Sequence, residues 1–250
     1  MTSEFADHFS GLAAEYARFR PHYPTELFAF LASVAPGRGL AWDCGTGSGQ
    51  AAIGLADHFE RVRATDPSAE QLTHATRHDR VTYALGRESE SGLPDGAAHL
   101  VTAAQAAHWF DLDAFYAEVR RVLAPRGIIA LWCYGAMQAG DDVDPVLTWF
   151  YEERIGRYWP PERALVDAGF ATLAFPFASI PAPALAMHAV MSRDELLGYI
   201  GTWSAVARGR GEEGADPLAE LVARLTPVWP DAAARRIVRW PLGIRAGHVG

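Results

Sequence analysis

Residues 39–50 read Gly39-Leu40-Ala41-Trp42-Asp43-Cys44-Gly45-Thr46-Gly47-Ser48-Gly49-Gln50, an apolar segment that runs through an acid into three alternating glycines. Gly39 to Cys44 has the composition of a buried strand, and Gln50 to Phe59 that of a helix. Glycines between them let the backbone turn sharply and let a ligand approach the main-chain amides, beside the unpaired N–H groups of a helix start.

The rhythm continues outward from this turn. Strands are expected at Arg61 to Thr65, Val81 to Leu85, Leu100 to Ala104 and Ile128 to Trp132, and helices at Ala69 to Arg77 and Asp111 to Leu123. Strands alternating with helices mean a parallel sheet covered on both faces. Upstream, Phe5, Phe9, Leu12, Tyr16 and Phe19 recur at helical spacing, Arg20-Pro21-His22-Tyr23-Pro24 breaks the pattern, and a second apolar helix runs from about Thr25 to Ala35 before Pro36-Gly37. Downstream of Tyr134 the segments lengthen and Trp becomes frequent. There the pattern predicts helices near Val143 to Tyr158, Pro161 to Ala168, Arg193 to Thr202 and Pro217 to Leu225, terminal strands at Ala171 to Phe177 and Ile237 to Ile244, and a mobile loop from Gly209 to Gly214.

Composition narrows the function. A net charge of −8 argues against a nucleic-acid partner, whose phosphates demand clustered cations. All 22 Lys and Arg positions are Arg, which excludes a lysine Schiff base and a P-loop lysine. Cys44 and Cys133 each sit in an apolar segment and read as buried reduced thiols, with no metal site. No apolar run approaches the roughly 18 to 20 residues that span a bilayer, and Met1-Thr2-Ser3-Glu4 lacks the basic start of a secretory signal, so a cytoplasmic protein without a membrane partner is expected. Oligomeric state is not legible.

The turn itself is D-x-G-x-G-x-G, led by Asp43. Nicotinamide enzymes use G-x-G-x-x-G, and its third glycine would fall at Gln50. Asp66 follows Gly49 by 17 residues, ends the second strand and precedes Pro67-Ser68, a helix start. A carboxylate there can grip both hydroxyls of a ribose; by itself it is equally a helix N-terminal partner. After the third strand, Gly86 to Pro94 offers Glu88, Ser89 and Glu90 where an adenine edge would lie, or an ordinary solvated acidic loop.

Three runs then carry a family resemblance: Tyr16-Ala17-Arg18-Phe19-Arg20-Pro21-His22-Tyr23-Pro24, the stretch Trp42 to Gln50, and Ala103-Ala104-Gln105-Ala106-Ala107-His108-Trp109-Phe110-Asp111, with a fainter echo at Thr202-Trp203-Ser204. The chain resembles class I methyltransferases of the type 11 group, and within it the trans-aconitate methyltransferase-like branch. The resemblance implies an α/β Rossmann-like fold with a seven-stranded, mostly parallel sheet whose last strand is antiparallel, helices on both faces and a helical cap over the carboxyl edge. It implies one domain over 1–250: an N-terminal helical lid (1–35), a core (36–135) that binds S-adenosylmethionine (SAM), and substrate-side helices and terminal strands (136–250). Its cofactor contacts would be Tyr16, Arg20, Asp43, Gly45, Thr46, Gly47, Gly49, Asp66, Pro67, Glu88, Ser89 and Gln105. Relatives carry Ala-Glu before the Leu-Pro-Asp of the third loop where this chain has Glu88-Ser89, which puts the side-chain contact to adenine in question.

The sulfonium of SAM already makes its methyl group electrophilic, so the protein must align a nucleophile and exclude water; orientation can supply roughly 7 to 11 kcal/mol of the barrier. A base is needed only for a protonated acceptor. His108 is the candidate, just past the fourth strand at the carboxyl edge, or else it braces the loop. Gln105 would position SAM. Trp109, Trp203 and Arg208 are candidates to line the site of a small-molecule acceptor, along with Arg239 and Arg245. Tyr16 and Arg20 would face the methionine carboxylate as part of a lid over bound cofactor, or lie on a surface helix. A non-catalytic protein that binds SAM or S-adenosylhomocysteine (SAH) for sensing is the alternative.

Overall fold

The computed structural model describes residues 21–249, and they fall into two compact units. Tyr16, Arg20 and the expected lid helix lie outside the described residues.

The first unit comprises Tyr23–Tyr134, Ala164–Leu185 and the chain from Leu242 onward. Its strands are β1 (Ala41–Cys44), β2 (Val62–Asp66), β3 (Val81–Leu85), β4 (Ala98–Ala104), β5 (Leu123–Tyr134), β6 (Ala178–Ile180) and the second half of β8 (Arg235–His248). They pair in the order β3-β2-β1-β4-β5-β8-β6, parallel through β5, with β8 antiparallel to both β5 and β6. Helices α1 (Thr25–Val34), α2 (Gln50–Ala56), α3 (Ala69–Thr73), α4 (Leu112–Val122) and α6 (Arg163–Asp167) accompany them, α6 beginning at the boundary between the units.

Both faces of this sheet are covered because β5 alternates large apolar groups on its two sides. Ile129, Leu131 and Cys133 join Trp42, Val101, Phe115 and Val119 in one core, which α4 covers. Trp132 points the other way, with the rings of Tyr23 and Phe28 at 5.5 and 6.5 Å. Cys44 and Cys133 are buried, reduced thiols.

The strand expected at Ala171 to Phe177 does not form. Gly169 and Phe170 turn the chain at positive φ, and the strand starts only at Ala178. The carbonyls of the intervening segment bond to side chains instead of a sheet partner: those of Phe170, Ala171 and Leu173 accept from Arg245, that of Ala174 from Tyr116 and that of Pro176 from Arg120. Arg245, an acceptor-site candidate on paper, is thus a structural clamp. Helix α3 stops at Thr73, short of Arg77.

The second unit, among its described residues, is Pro21 and His22, Gly135–Arg163 and Ala186–Pro241. It holds α5 (Asp144–Trp149), a π-helical turn at Phe150–Arg154, a 3-10 turn at Gly156–Tyr158, α7 (Arg193–Gly201), α8 (Ser204–Glu213), α9 (Leu218–Leu225), and β7 (Ala186–Ser192) paired with the first half of β8. The single long helix expected from Val143 to Tyr158 is therefore three short pieces. Strand β7 makes eight among the described residues where seven were expected: only the first half of β8 can pair with it, and β8 is seen to be that long only once folded.

The expected mobile loop at Gly209 to Gly214 is helix up to Glu213, and Gly214 ends it in a left-handed cap. Glu213 holds it down. Its carboxylate receives two bonds from Arg154, at 2.9 and 2.6 Å, one from Arg157 at 2.8 Å and one from the Tyr158 hydroxyl at 2.6 Å. Gly209, a poor helix former, suits its place because a Cβ there would crowd Pro217 and Tyr158 at 3.1 and 3.2 Å.

Among the described residues no helix is long and apolar enough to cross a membrane.

Candidate functional site

The turn after β1 is folded over the neighbouring strand. The N–H groups of Gly45 and Thr46 both donate to the Thr65 carbonyl of β2, at 2.8 and 3.0 Å. Gly45, Gly47 and Gly49 then take φ of 68°, 55° and 86°, where a side chain strains the backbone. Their surroundings differ. A Cβ on Gly45 would lie 2.6 Å from that of Ala106 and 3.1 Å from the Phe110 ring, and one on Gly49 would lie 2.1 Å from the Tyr83 hydroxyl. At Gly47 the nearest atom would be Gln71 Oε1, at 3.8 Å. Two glycines therefore admit protein, and the middle one leaves main chain bare beside open space, a cradle that suits the amino-acid tail of SAM.

Two carboxylates brace this turn. Asp43 is fully buried; its oxygens accept from the hydroxyls of Thr46 (2.6 Å) and Thr102 (2.7 Å) and from the Ala52 N–H, tying together β1, the turn, β4 and α2. Asp66, 8 % exposed, accepts from the N–H of Gly47 and of Ser68, each at 2.8 Å. Ser68 itself caps α3, accepting from the Gln71 N–H. Each Asp66 oxygen keeps a second lone pair, so the carboxylate can hold the turn and accept ligand hydroxyls together. Pro67 is exposed.

Burial pushes the Asp43 carboxyl up to about 6, against the bonds from Thr46 and Thr102 that pull it down. A folded-state value above the unfolded one means the native state binds the extra proton, so this contribution to stability is present below about 4 and lost as pH rises through about 6. Its size is roughly 3 kcal/mol at about 1.4 kcal/mol per unit. Asp43→Asn should lack that component: the difference in unfolding free energy between wild type and variant, from urea melts between pH 4 and 7, is expected to change in this direction, and a pH-independent difference would contradict the assignment.

The loop after β3 is anchored from beneath. Ser91, wholly buried, donates its N–H (2.9 Å) and hydroxyl (2.6 Å) to Glu118 of α4, which also receives two bonds from Arg121 at 2.7 Å. The Arg121 guanidinium, ahead of the Ser91 bonds, holds the Glu118 carboxyl down to about 2. Glu118→Ala leaves the buried Ser91 amide without its acceptor, and a loss of about 2 to 4 kcal/mol is expected in denaturant melts. Above this anchor Ser89 is exposed and Glu88 half-buried; Glu88 is close enough to the end of β1 that its charge, after burial and Asp43, helps raise the Cys44 thiol.

Gln105 takes φ 54°, and its side-chain amide pairs twice with Tyr134 of β5, donating to the carbonyl at 2.9 Å and accepting from the N–H at 3.1 Å. Its amide is thus committed to joining β4 and β5, which leaves the backbone as its means of touching a ligand. His108 and Trp109 follow in a 3-10 turn, Ala107–Trp109. The half-buried His108 ring packs against Trp109 at 4.8 Å and Phe170 at 6.0 Å. Phe110 reaches the turn beside Gly45, as given above.

Trp203 and Arg208 belong to the second unit. Trp203 packs with Tyr151, Trp159 and Tyr199 at 5.6 to 5.9 Å, and Arg208 donates to the Tyr158 carbonyl at 3.2 Å. Arg239 donates to Gln138.

Sequence reasoning missed Thr102, Gln71, Tyr83, Leu85 and Glu118. Thr102, Tyr83 and Glu118 are brought in by pairing and packing far along the chain. Leu85, 64 % exposed and directly opposite Asp66 in the β2–β3 register, could have been noticed as an apolar residue ending an edge strand.

Comparison with known proteins agrees with this geometry. Residues 42–131 match the methyltransferase domain of the type 11 family. A Dictyostelium discoideum protein described as a methyltransferase is 36 % identical over 209 residues, 82 % of this chain and 80 % of that protein. The solved structure of a protein described as a type II methyltransferase from Anaeromyxobacter dehalogenans is 48 % identical, with TM-score 0.87 over 92 % of this chain and 97 % of that one. The Haemonchus contortus phosphoethanolamine N-methyltransferase 2, solved with SAM, shares the fold at 16 % identity, with TM-score 0.51 over 99 % of this chain and 60 % of that one. With a turn that bares its main chain at Gly47, an acid holding that turn, and a relative matched over most of both lengths, the chain belongs to the class I, type 11 family of SAM-dependent methyltransferases.

Proposed function

We propose that the chain transfers the methyl group of SAM to a small organic acceptor at a hydroxyl, amine, carbon or carboxylate, working as one domain in which residues 136–250 form the acceptor side. The single observation that carries this reading is Gly47, left-handed and open where a side chain would stand, with its N–H pinned by an Asp66 carboxylate that has lone pairs to spare.

Bound SAM supplies an electrophilic methyl group. The residues around it bind and orient. Gly47 and its neighbours would hold the amino-acid tail, with Gly45, Thr46, Gly49 and Asp43 keeping the turn in shape. Asp66 would accept the ribose hydroxyls, and Glu88 with the backbone of Ser89 and Gln105 would flank the adenosine. His108 would take the acceptor's proton where it has one. Trp109, Trp203 and Arg208 would contact the acceptor, and Tyr16 and Arg20 would close over the methionine carboxylate.

The buried, reduced thiols of Cys44 and Cys133 suit the reducing cytoplasm. Incubating the protein with isotopically labelled SAM and a metabolite extract, followed by mass spectrometry, would name the acceptor and the atom methylated. No binding of SAM or SAH at millimolar concentration would remove this reading.

A further inference from the structure

Tyr83 stands on the edge strand β3, 34 residues beyond Gly49, yet its hydroxyl occupies the space that a Gly49 side chain would need. That hydroxyl donates to the Thr76 carbonyl at 2.7 Å, and the Thr76 N–H donates to the Ser48 carbonyl at 3.2 Å. Ser48 lies inside the glycine turn, next to Gly47. A short relay of hydrogen bonds therefore runs from the sheet edge, through the segment after α3, into the main chain that would hold the cofactor's tail.

The alternative holds on the turn come from elsewhere. Thr65 fixes Gly45 and Thr46, Asp43 fixes Thr46, and Asp66 fixes Gly47. Ser48 and Gly49, the last two residues before α2, are held on their outer side by Thr76 and Tyr83. Strained left-handed turns persist only where their surroundings over-determine them. We propose that Tyr83 is a positioning residue for the cofactor: its ring backs Gly49, and through Thr76 its hydroxyl locks the Ser48 end of the turn into the shape that receives the amino-acid tail of SAM. This rests on the methyltransferase reading of the same turn.

The effect is selective by part of the ligand. Loosening the Ser48 end affects whatever binds the tail, while Asp66 and the loop after β3, which would hold the adenosine, keep their own anchors. The test is titration calorimetry of the full chain with two probes, SAH and 5′-methylthioadenosine, which lacks the amino-acid tail. Tyr83→Phe keeps the ring and removes the hydroxyl; SAH affinity is expected to fall about 3- to 10-fold, the range for one lost hydrogen bond, with methylthioadenosine affinity unchanged within about 2-fold. Thr76→Pro deletes the N–H that reaches Ser48 and should reproduce the same selective loss, which keeps the proposal testable should Tyr83→Phe fail to fold. Equal losses for both probes, or none for SAH, would overturn the positioning role while leaving the methyltransferase reading intact. Failure of the wild type to bind SAH would overturn both.

Discussion

Replacing Asp66 with alanine is expected to weaken SAH binding by about 10²- to 10⁴-fold, the largest effect on cofactor affinity from any single side chain described here. Two losses combine. The variant removes the acceptor of the Gly47 and Ser68 N–H groups, each a charge-assisted bond at 2.8 Å, and with it the carboxylate available to a ribose. Asp66→Asn separates the two, because a single amide oxygen can still serve one of these N–H groups while its NH₂ opposes the other; affinity should fall between wild type and Asp66→Ala. The check is calorimetric titration with SAH below the melting temperature of each variant. An affinity within about 3-fold of wild type for Asp66→Ala would show that the carboxylate braces the helix start and nothing more.

His108→Ala is expected to lower kcat by about 10²- to 10⁴-fold for a hydroxyl or amine acceptor, with SAH affinity nearly unchanged. The ring sits in the turn after β4, against Trp109 and Phe170, at the carboxyl edge where open α/β sheets bind their ligands. A base acts on the proton of the acceptor and not on the cofactor, so the two readouts should part. His108→Gln keeps much of the volume without a basic ring nitrogen, and should be as slow as alanine. If kcat and SAH affinity fall together, the ring braces the loop. If neither moves, the acceptor reacts without proton removal, as a carboxylate would.

The order of effects follows from what each residue contacts. Asp66 touches the turn directly, whereas Tyr83 acts on it through Thr76, so the expected losses differ by a factor of ten or more. Glu118 lies deeper, under the loop after β3, and its removal should register in folding stability before it registers in binding.

Much of the core was legible without a fold. The parallel strands β1 to β4 lie within two residues of their expected bounds, because continuous apolar runs punctuated by glycine or proline report burial on both faces. The second unit was less legible. Its helices are short, with Pro145 in α5 and Gly209 and Gly211 in α8, and α8 survives its glycines through the bonds gathered on Glu213, 55 to 59 residues from their donors. The strand expected before Ala178 had suitable residues but found no partner along its length, since Arg245, Tyr116 and Arg120 took its carbonyls.

The site divides in the same way. The alternating glycines and the two acids follow from backbone sterics and strand ends, which act over a few neighbouring residues, and the chain alone therefore determined the turn, its braces and the methyltransferase family. Which glycine is left open to a ligand was decided by Ala106, Phe110 and Tyr83, brought up from 34 to 65 residues away by the sheet. The commitment of the Gln105 amide to Tyr134 was likewise settled by the pairing of β4 with β5. Such contacts are chosen by packing among distant segments, and local preference carries no record of them.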